Sequence, residues 1–71
     1  MIRGEVEDAM LRMFGRGVSN VSLSGALARS CYGQGNSGLD LFCRRNGLIW
    51  KEDKKRDVFV LERKKEKEVE G

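Results

Sequence analysis

The 71-residue chain contains no histidine, no proline and no threonine, and it has only two cysteines. Without histidine, the Ser-His-Asp and Cys-His arrangements that activate a nucleophile cannot form within the chain. Zinc sites of the Cys2His2 and Cys3His types are excluded, and two cysteines do not complete a four-ligand zinc site unless carboxylates or a second chain contribute. The composition therefore predicts a binding protein rather than an enzyme, with no cofactor, no metal and no small-molecule substrate.

Long apolar runs are also missing. The longest uninterrupted apolar run has four residues, far short of the ~20 that a membrane-spanning helix needs. Residues 1–5 do not resemble the start of a signal peptide. These absences predict a cytoplasmic protein that does not enter a membrane. The single glutamine and the abundance of Lys, Arg and Glu are in addition a tendency of proteins from thermophiles.

Basic residues outnumber acidic ones, and the excess is confined to one part of the chain. There are 14 Lys and Arg against 11 Asp and Glu, a net charge of +3. Residues 1–28 and residues 62–71 are each neutral, so the whole excess lies in residues 29–61. A localised positive region indicates a surface for an anionic partner such as nucleic acid, and a solvated surface of mixed sign is the alternative.

Hydrophobic periodicity predicts a first helix that starts at residue 2 or 4 and ends at residue 14, with Gly15 as its carboxyl-terminal cap. A brief extended piece is predicted over residues 18–21. A second helix is predicted over residues 23–31, with Ser22 as its N-cap. The predicted inner face of this second helix consists of Leu23, Ala26, Leu27 and Cys31.

A third helix is predicted over residues 38–45, after a glycine-rich turn at residues 32–36. Ser37 and Asp40 have the spacing of a capping box at its start. Its predicted outer face includes Leu41, a large apolar side chain at a position where polar residues are usual. Its predicted inner face consists of Leu39, Phe42 and Cys43.

The last part of the domain has the pattern of a β-hairpin. Residues 48–50 and 57–61 are β-branched and aromatic runs, which are typical of strands. The six residues between them, 51–56, are all charged. We therefore expect an antiparallel hairpin with a polar connection, followed by a charged tail over residues 63–71 that frays.

The order helix, extended piece, helix, turn, helix and hairpin resembles that of a winged helix-turn-helix domain. The segments that carry the resemblance are residues 21–28, 37–45, 46–51 and 57–61. The resemblance implies an α+β fold, a small three-helix winged helix-turn-helix with a C-terminal β-hairpin wing, over residues 1–62. It also implies a small DNA-binding protein, a transcriptional regulator that binds duplex DNA through the third helix and the basic wing.

The resemblance assigns nucleic-acid-binding roles to nine residues. The amino terminus of the third helix would offer backbone N–H groups to phosphate, and the arginines at its other end would reach phosphate or a groove edge. The basic residues of the wing would contact an adjacent groove or the backbone. In that order, the residues are Gln34, Asn36 and Ser37; Arg44 and Arg45; and Lys51, Lys54, Lys55 and Arg56.

The sequence leaves other functions of the same fold open. A winged helix can instead bind a protein partner as an adaptor or assembly module, which the outward Leu41 favours, or it can bind RNA. A homodimer is a further alternative, formed through the first helix, the tail, or the apolar residues Leu11 and Leu41.

Several of these residues also have a purely structural interpretation. Arg44 has the spacing to pair with the carboxylate one helical turn before it, and the basic run 54–56 between acids can be a solvated hairpin tip. Trp50 either packs at the core or stacks on a base. Cys31 and Cys43, on the inner faces of two predicted helices, form either two buried thiols or a disulfide.

Overall fold

In the computed structural model, residues 3–64 form three helices and one three-stranded antiparallel sheet, which confirms the predicted α+β class. Residues 1, 2 and 65–71 lie outside the part of the chain that the structure describes, and most of the predicted tail falls there. The elements are α1 (Arg3–Gly15), β1 (Asn20–Ser24), α2 (Gly25–Tyr32), α3 (Ser37–Arg45), β2 (Leu48–Asp53) and β3 (Val58–Arg63).

The strand order in the sheet is β1-β3-β2, so β3 is the central strand. Leu61 of β3 lies opposite Val21 of β1 on one side and opposite Trp50 of β2 on the other. Its side chain is 0% exposed because neighbours cover it from both directions. The predicted hairpin is therefore confirmed as β2–β3, although Lys51, Glu52 and Asp53 belong to β2 rather than to the connection.

The predicted first helix is confirmed over α1, which places Val6, Met10 and Phe14 on its buried side at intervals of one turn. Gly15 is the last helical residue rather than the cap. The chain reverses at Gly17, whose φ of +100° is a conformation that glycine adopts without steric cost.

The segment before the second helix differs from the prediction. Residues 20–24 form a strand that pairs with β3, so Ser22 does not cap a helix. Val21 and Leu23 are buried while the residues between and beside them are exposed, which is the period of two expected of a strand. Pairing with β3 satisfies the backbone and buries both apolar side chains, which a helix starting at residue 23 would not do.

The second helix therefore begins two residues later than predicted. Ser24 is its N-cap, and the hydroxyl oxygen of Ser24 accepts a hydrogen bond from the backbone N–H of Leu27 at 3.1 Å. The later start also changes the buried face, because Gly25 and Ala28 are buried and Ala26 is exposed.

The third helix starts at Ser37 without the predicted capping box. Asn36 is the N-cap residue, and its side chain makes no capping hydrogen bond. Instead of reaching back to the helix start, the carboxylate of Asp40 faces Trp50 of β2. Gly47, with a φ of +68°, then turns the chain from α3 into β2.

The core lies between the three helices and one face of the sheet. The predicted inner face of α3 is confirmed, since Leu39, Phe42 and Cys43 are all buried. Within residues 3–64, no helix has both the length and the apolar content needed to cross a membrane. The buried apolar side chains are those of Val6, Met10, Phe14, Val21, Leu23, Ala28, Leu39, Phe42, Cys43, Leu48, Phe59 and Leu61.

Candidate nucleic-acid interface

Burial of one side of α3 in the core determines which residues form its outer, exposed side. Ser37, Leu41 and Arg44 follow one another at intervals of three or four residues and are exposed. Leu41 is 49% exposed, which confirms the predicted position of this apolar side chain. The outer side of α3 therefore presents an apolar residue between polar and charged ones.

Asp40 joins this outer side to the sheet. One carboxylate oxygen of Asp40 accepts a hydrogen bond from the indole N–H of Trp50 at 3.0 Å, and the other lies 2.9 Å from Nε of Arg44. The predicted pair between Arg44 and Asp40 is thus confirmed. Trp50 is half-buried at the rim of the core, and its ring meets Phe59 edge to face with centroids 5.7 Å apart. These contacts fix the orientation of α3 against β2.

Arg44 and Arg45 are adjacent in sequence but lie in different surroundings. Arg44 lines a shallow cleft of about 480 Å³ between α3 and β2. Arg45 lines a second cleft of about 240 Å³ between α3 and α1, together with Arg3, Glu7 and Asp8. The structure therefore places the two arginines in separate clefts, and within residues 3–64 Arg45 forms no ion pair.

The connection between β2 and β3 is ordered by Asp53. One carboxylate oxygen of Asp53 accepts hydrogen bonds from the backbone N–H groups of Lys55 at 3.1 Å and Arg56 at 3.2 Å. Nε of Arg56 also lies 3.9 Å from the other oxygen. Within residues 3–64, Lys54 and Lys55 form no ion pair, and both side chains are exposed. We call residues 54–57 the hairpin loop.

The end of the hairpin loop is anchored on α2. Asp57 was predicted to start the returning strand, but it lies in the loop with a φ of +57°, and β3 begins at Val58. Its carbonyl oxygen accepts a hydrogen bond from the backbone N–H of Gly25 at 2.7 Å, and its carboxylate lies 3.4 Å from Arg29. A Cβ on Gly25 would come within 2.1 Å of the Asp57 carboxylate, so an alanine at this position would displace that side chain.

The three predicted residues at the start of α3, Gln34, Asn36 and Ser37, are all exposed. The turn that carries them is held in place by Tyr32. A Cβ on Gly38 would lie 2.7 Å from the Tyr32 ring, so α2 and α3 meet closely at this point.

The hydroxyl of Tyr32 is directed at α1, where it donates a hydrogen bond to Glu7. Partial burial raises the pKa of Tyr32, and the hydrogen bond to the Glu7 carboxylate raises it further. The guanidinium of Arg3 lies 5.8 Å from the centre of the Tyr32 ring. Tyr32 therefore stays protonated at neutral pH and ties together the three helices.

Cys31 and Cys43 are both free thiols, so the disulfide alternative does not form. Burial raises the pKa of Cys43 from 9.0 to about 11, and the nearby charge of Asp40 adds to the effect. Cys43 is therefore a protonated thiol at neutral pH that packs as a small apolar residue.

The contacts that sequence reasoning missed join residues far apart in the chain. Gly25 and Asp57 belong to no sequence motif. The sequence indicates only that glycine has a low helix propensity at position 25. The carboxylate of Asp40 was expected to cap the start of α3, and no sequence pattern predicted its hydrogen bond with Trp50. No protein-family model matches the chain, and searches of curated proteins and of solved structures give no significant match. A proposal for the function of the chain therefore has to start from the geometry of α3 and the hairpin.

Proposed function

We propose that the chain is a winged helix-turn-helix protein that binds duplex DNA through α3 and the β2–β3 hairpin, as a small transcriptional regulator. The observation that carries the proposal is the element order with the sheet order β1-β3-β2, which leaves the outer side of α3 and the hairpin loop exposed. Six of the seven basic residues in the positive region 29–61 belong to α3 and the hairpin.

Contacts to phosphate supply most of the binding in this proposal. Lys54 and Lys55 protrude from a loop whose backbone Asp53 holds, and their charges are not offset by an ion pair within residues 3–64. Arg44 reaches DNA only in competition with its own carboxylate partner, at 2.9 Å. We therefore expect binding that follows the phosphate backbone, with little discrimination among base sequences.

A protein partner is the second candidate, and Leu41 is the observation that favours it. A leucine that is 49% exposed in the middle of a helix face would be desolvated by an apolar partner surface. The carboxylate of Asp40 beside Arg44 fits the mixed charge pattern of a protein interface. This candidate predicts capture of one partner protein that is lost on Leu41→Asp.

The test is a titration of a short fluorescent DNA duplex at increasing salt. We expect binding whose logarithmic affinity falls with log salt by about 0.9 for each phosphate contacted. Lys54→Ala reduces this slope by about 0.9. Arg16→Ala is the matched control, because Arg16 is an exposed basic residue in the turn after α1.

Absence of binding at ~50 mM salt, where phosphate contacts are strong, would contradict the proposal. An equal reduction of the slope by Arg16→Ala would contradict the assignment of the hairpin loop. Tighter binding to an RNA duplex of the same sequence would assign the surface to RNA instead.

A further inference from the structure

The two outer strands of the sheet differ in how their edges are protected. β2 carries Lys51, Glu52 and Asp53, and charged residues on an edge strand discourage pairing with another chain. β1 carries no charged residue at all, and residues 17–28 contain none, in a chain of which 35% is charged. Within residues 3–64, no strand pairs with the outer edge of β1.

The direction of the backbone groups of β1 follows from one hydrogen bond. The N–H of Gly25 donates to the carbonyl oxygen of Asp57 at 2.7 Å, in continuation of the pairing with β3. Successive residues of a strand direct their N–H and C=O groups to opposite edges of the strand. The backbone groups of Leu23 and Val21 therefore also face β3. The backbone groups of Asn20 and Ser22 therefore face the open edge.

An apolar groove of about 250 Å³ lies between β1 and α1. Ala9 and Met13 line it from α1, and Val21 and Leu23 line it from β1. Met13 is 39% exposed, which is high for a side chain of this size and polarity. An open strand edge with unpaired backbone groups and an apolar groove beside it fits a further strand.

We propose that β1 pairs antiparallel with β1 of a second copy of this chain, about a two-fold axis at Ser22. This register places Ser22 opposite Ser22, Val21 opposite Leu23 and Asn20 opposite Ser24. The outward N–H and C=O groups of Ser22 then exchange hydrogen bonds with those of their counterpart across the axis. The apolar grooves of the two copies then adjoin, and the three strands of each copy form one continuous sheet.

We infer that the strand paired with the open edge of β1 is β1 of a second copy, because two such edges can pair without placing like charges together. A two-fold axis sets each residue against its own counterpart or against a near neighbour, and an uncharged strand brings no like charges together. The same pairing at β2 would set a lysine, a glutamate and an aspartate against another copy of the same charged run. This contact differs from those considered above, which used α1, the tail, or Leu11 and Leu41, and it does not depend on DNA binding.

The test is sedimentation of the full chain over a range of concentrations. We expect a reversible dimer for the wild type. Ser22→Lys raises the dimer dissociation constant by about tenfold or more, because two lysines then oppose each other across the axis. Ser30→Lys is the matched control, since Ser30 is an exposed serine on α2 and the added charge is the same. It leaves the dissociation constant unchanged.

Amide hydrogen exchange of the wild-type protein tests the same contact without a variant. Protection of the Ser22 amide rises with protein concentration, whereas the Val21 amide, bonded to β3, is protected at every concentration. A wild type that stays monomeric overturns the proposal. So does a dimer in which Ser22→Lys binds as tightly as Ser30→Lys, or in which exchange at Ser22 does not respond to concentration.

Discussion

The outer side of α3 and the β2–β3 hairpin each contain a carboxylate that organises its region, but the two carboxylates act on different partners. Asp40 of α3 pairs with the side chain of Arg44, at 2.9 Å. Asp53 of the hairpin accepts hydrogen bonds mainly from backbone N–H groups of the loop. As a result, the guanidinium of Arg44 is engaged within the protein, whereas Lys54 and Lys55 keep their full charge toward solvent.

The difference teaches that net charge alone does not locate an anion-binding surface. Both regions have a similar mixture of acids and bases in the sequence. The exposed pair on α3 contributes ~0–1 kcal/mol to the free energy of unfolding, yet it lowers the positive charge available there. In the hairpin, the carboxylate of Asp53 instead bonds to the loop backbone and leaves the side-chain charges of Lys54 and Lys55 unpaired within residues 3–64. In the proposed DNA-binding function, contacts to phosphate are therefore expected chiefly at the hairpin loop.

Gly25→Ala breaks the side-chain contact between Asp57 and Arg29 and leaves the contacts of α3 intact. A methyl group at this position would overlap the Asp57 carboxylate, so this exposed side chain must rotate away from Arg29, and the free energy of unfolding falls by about 1 kcal/mol or less. Urea denaturation followed by circular dichroism measures the change. Gly4→Ala is the control, because the space around Gly4 in α1 is open.

Asp57→Gly removes the overlapping carboxylate and relieves the left-handed φ of Asp57. The loss caused by Gly25→Ala should therefore be smaller when Asp57→Gly is already present. Strictly additive losses in this double-mutant cycle would contradict the proposed overlap.

Lys54→Glu combined with Lys55→Glu tests the assignment of binding to the loop. Reversing two unpaired charges should weaken binding to duplex DNA at low salt by about tenfold to a hundredfold, because attraction to phosphate becomes repulsion. Fluorescence anisotropy measures the dissociation constant. A larger loss from the single change Arg44→Glu would reverse the ranking of the two regions.

Trp50→Phe removes the hydrogen bond that attaches α3 to β2 while it keeps an aromatic ring against Phe59. The free energy of unfolding should fall by about 1 kcal/mol, the usual contribution of such a bond. The same substitution should cost less in an Asp40→Ala background, where the acceptor is already gone. Equal losses in both backgrounds would show that the hydrogen bond contributes nothing.

Asp40→Asn is expected to have the smallest effect of these changes. It leaves Arg44 without its ion pair, so that α3, like the hairpin, presents an unpaired basic side chain. The asparagine oxygen can still accept from the indole of Trp50, but the ion pair of Arg44 is lost. DNA binding should then tighten by about two- to fivefold, since one more positive charge is available. Glu5→Gln, an equal charge change on the exposed side of α1, serves as the control. Weaker binding by Asp40→Asn would mean that the carboxylate itself positions Arg44 for DNA.

The parts of the structure that the sequence predicted are those set by local spacing. The buried side of α3 and the exposure of Leu41 follow from helical periodicity, and the pair of Arg44 with Asp40 follows from an interval of four residues. The hairpin follows from two β-branched runs separated by charges. In each case, residues within a few positions of one another decide the outcome.

The parts that could not be predicted depend on residues distant in sequence. Residues 18–21 look weakly extended on their own, and residues 23 and 24 have a helical pattern. Only pairing with β3 makes residues 20–24 a strand and moves the N-cap to Ser24. Arg45 has no acid within its own helical turn, and the charged residues beside it in its cleft, Arg3, Glu7 and Asp8, come from α1. A pattern read over a short window contains no information on such neighbours.

By itself, the sequence determined which chemistry is excluded, where the positive charge is concentrated, and that three amphipathic helices precede a hairpin. The tertiary structure alone decided which of those charges stay available and which distant side chains meet. The physical reason is that charge and periodicity are properties of the chain. Pairing of Asp40 with Trp50, or of Gly25 with Asp57, exists only once packing has brought separate elements within hydrogen-bond distance.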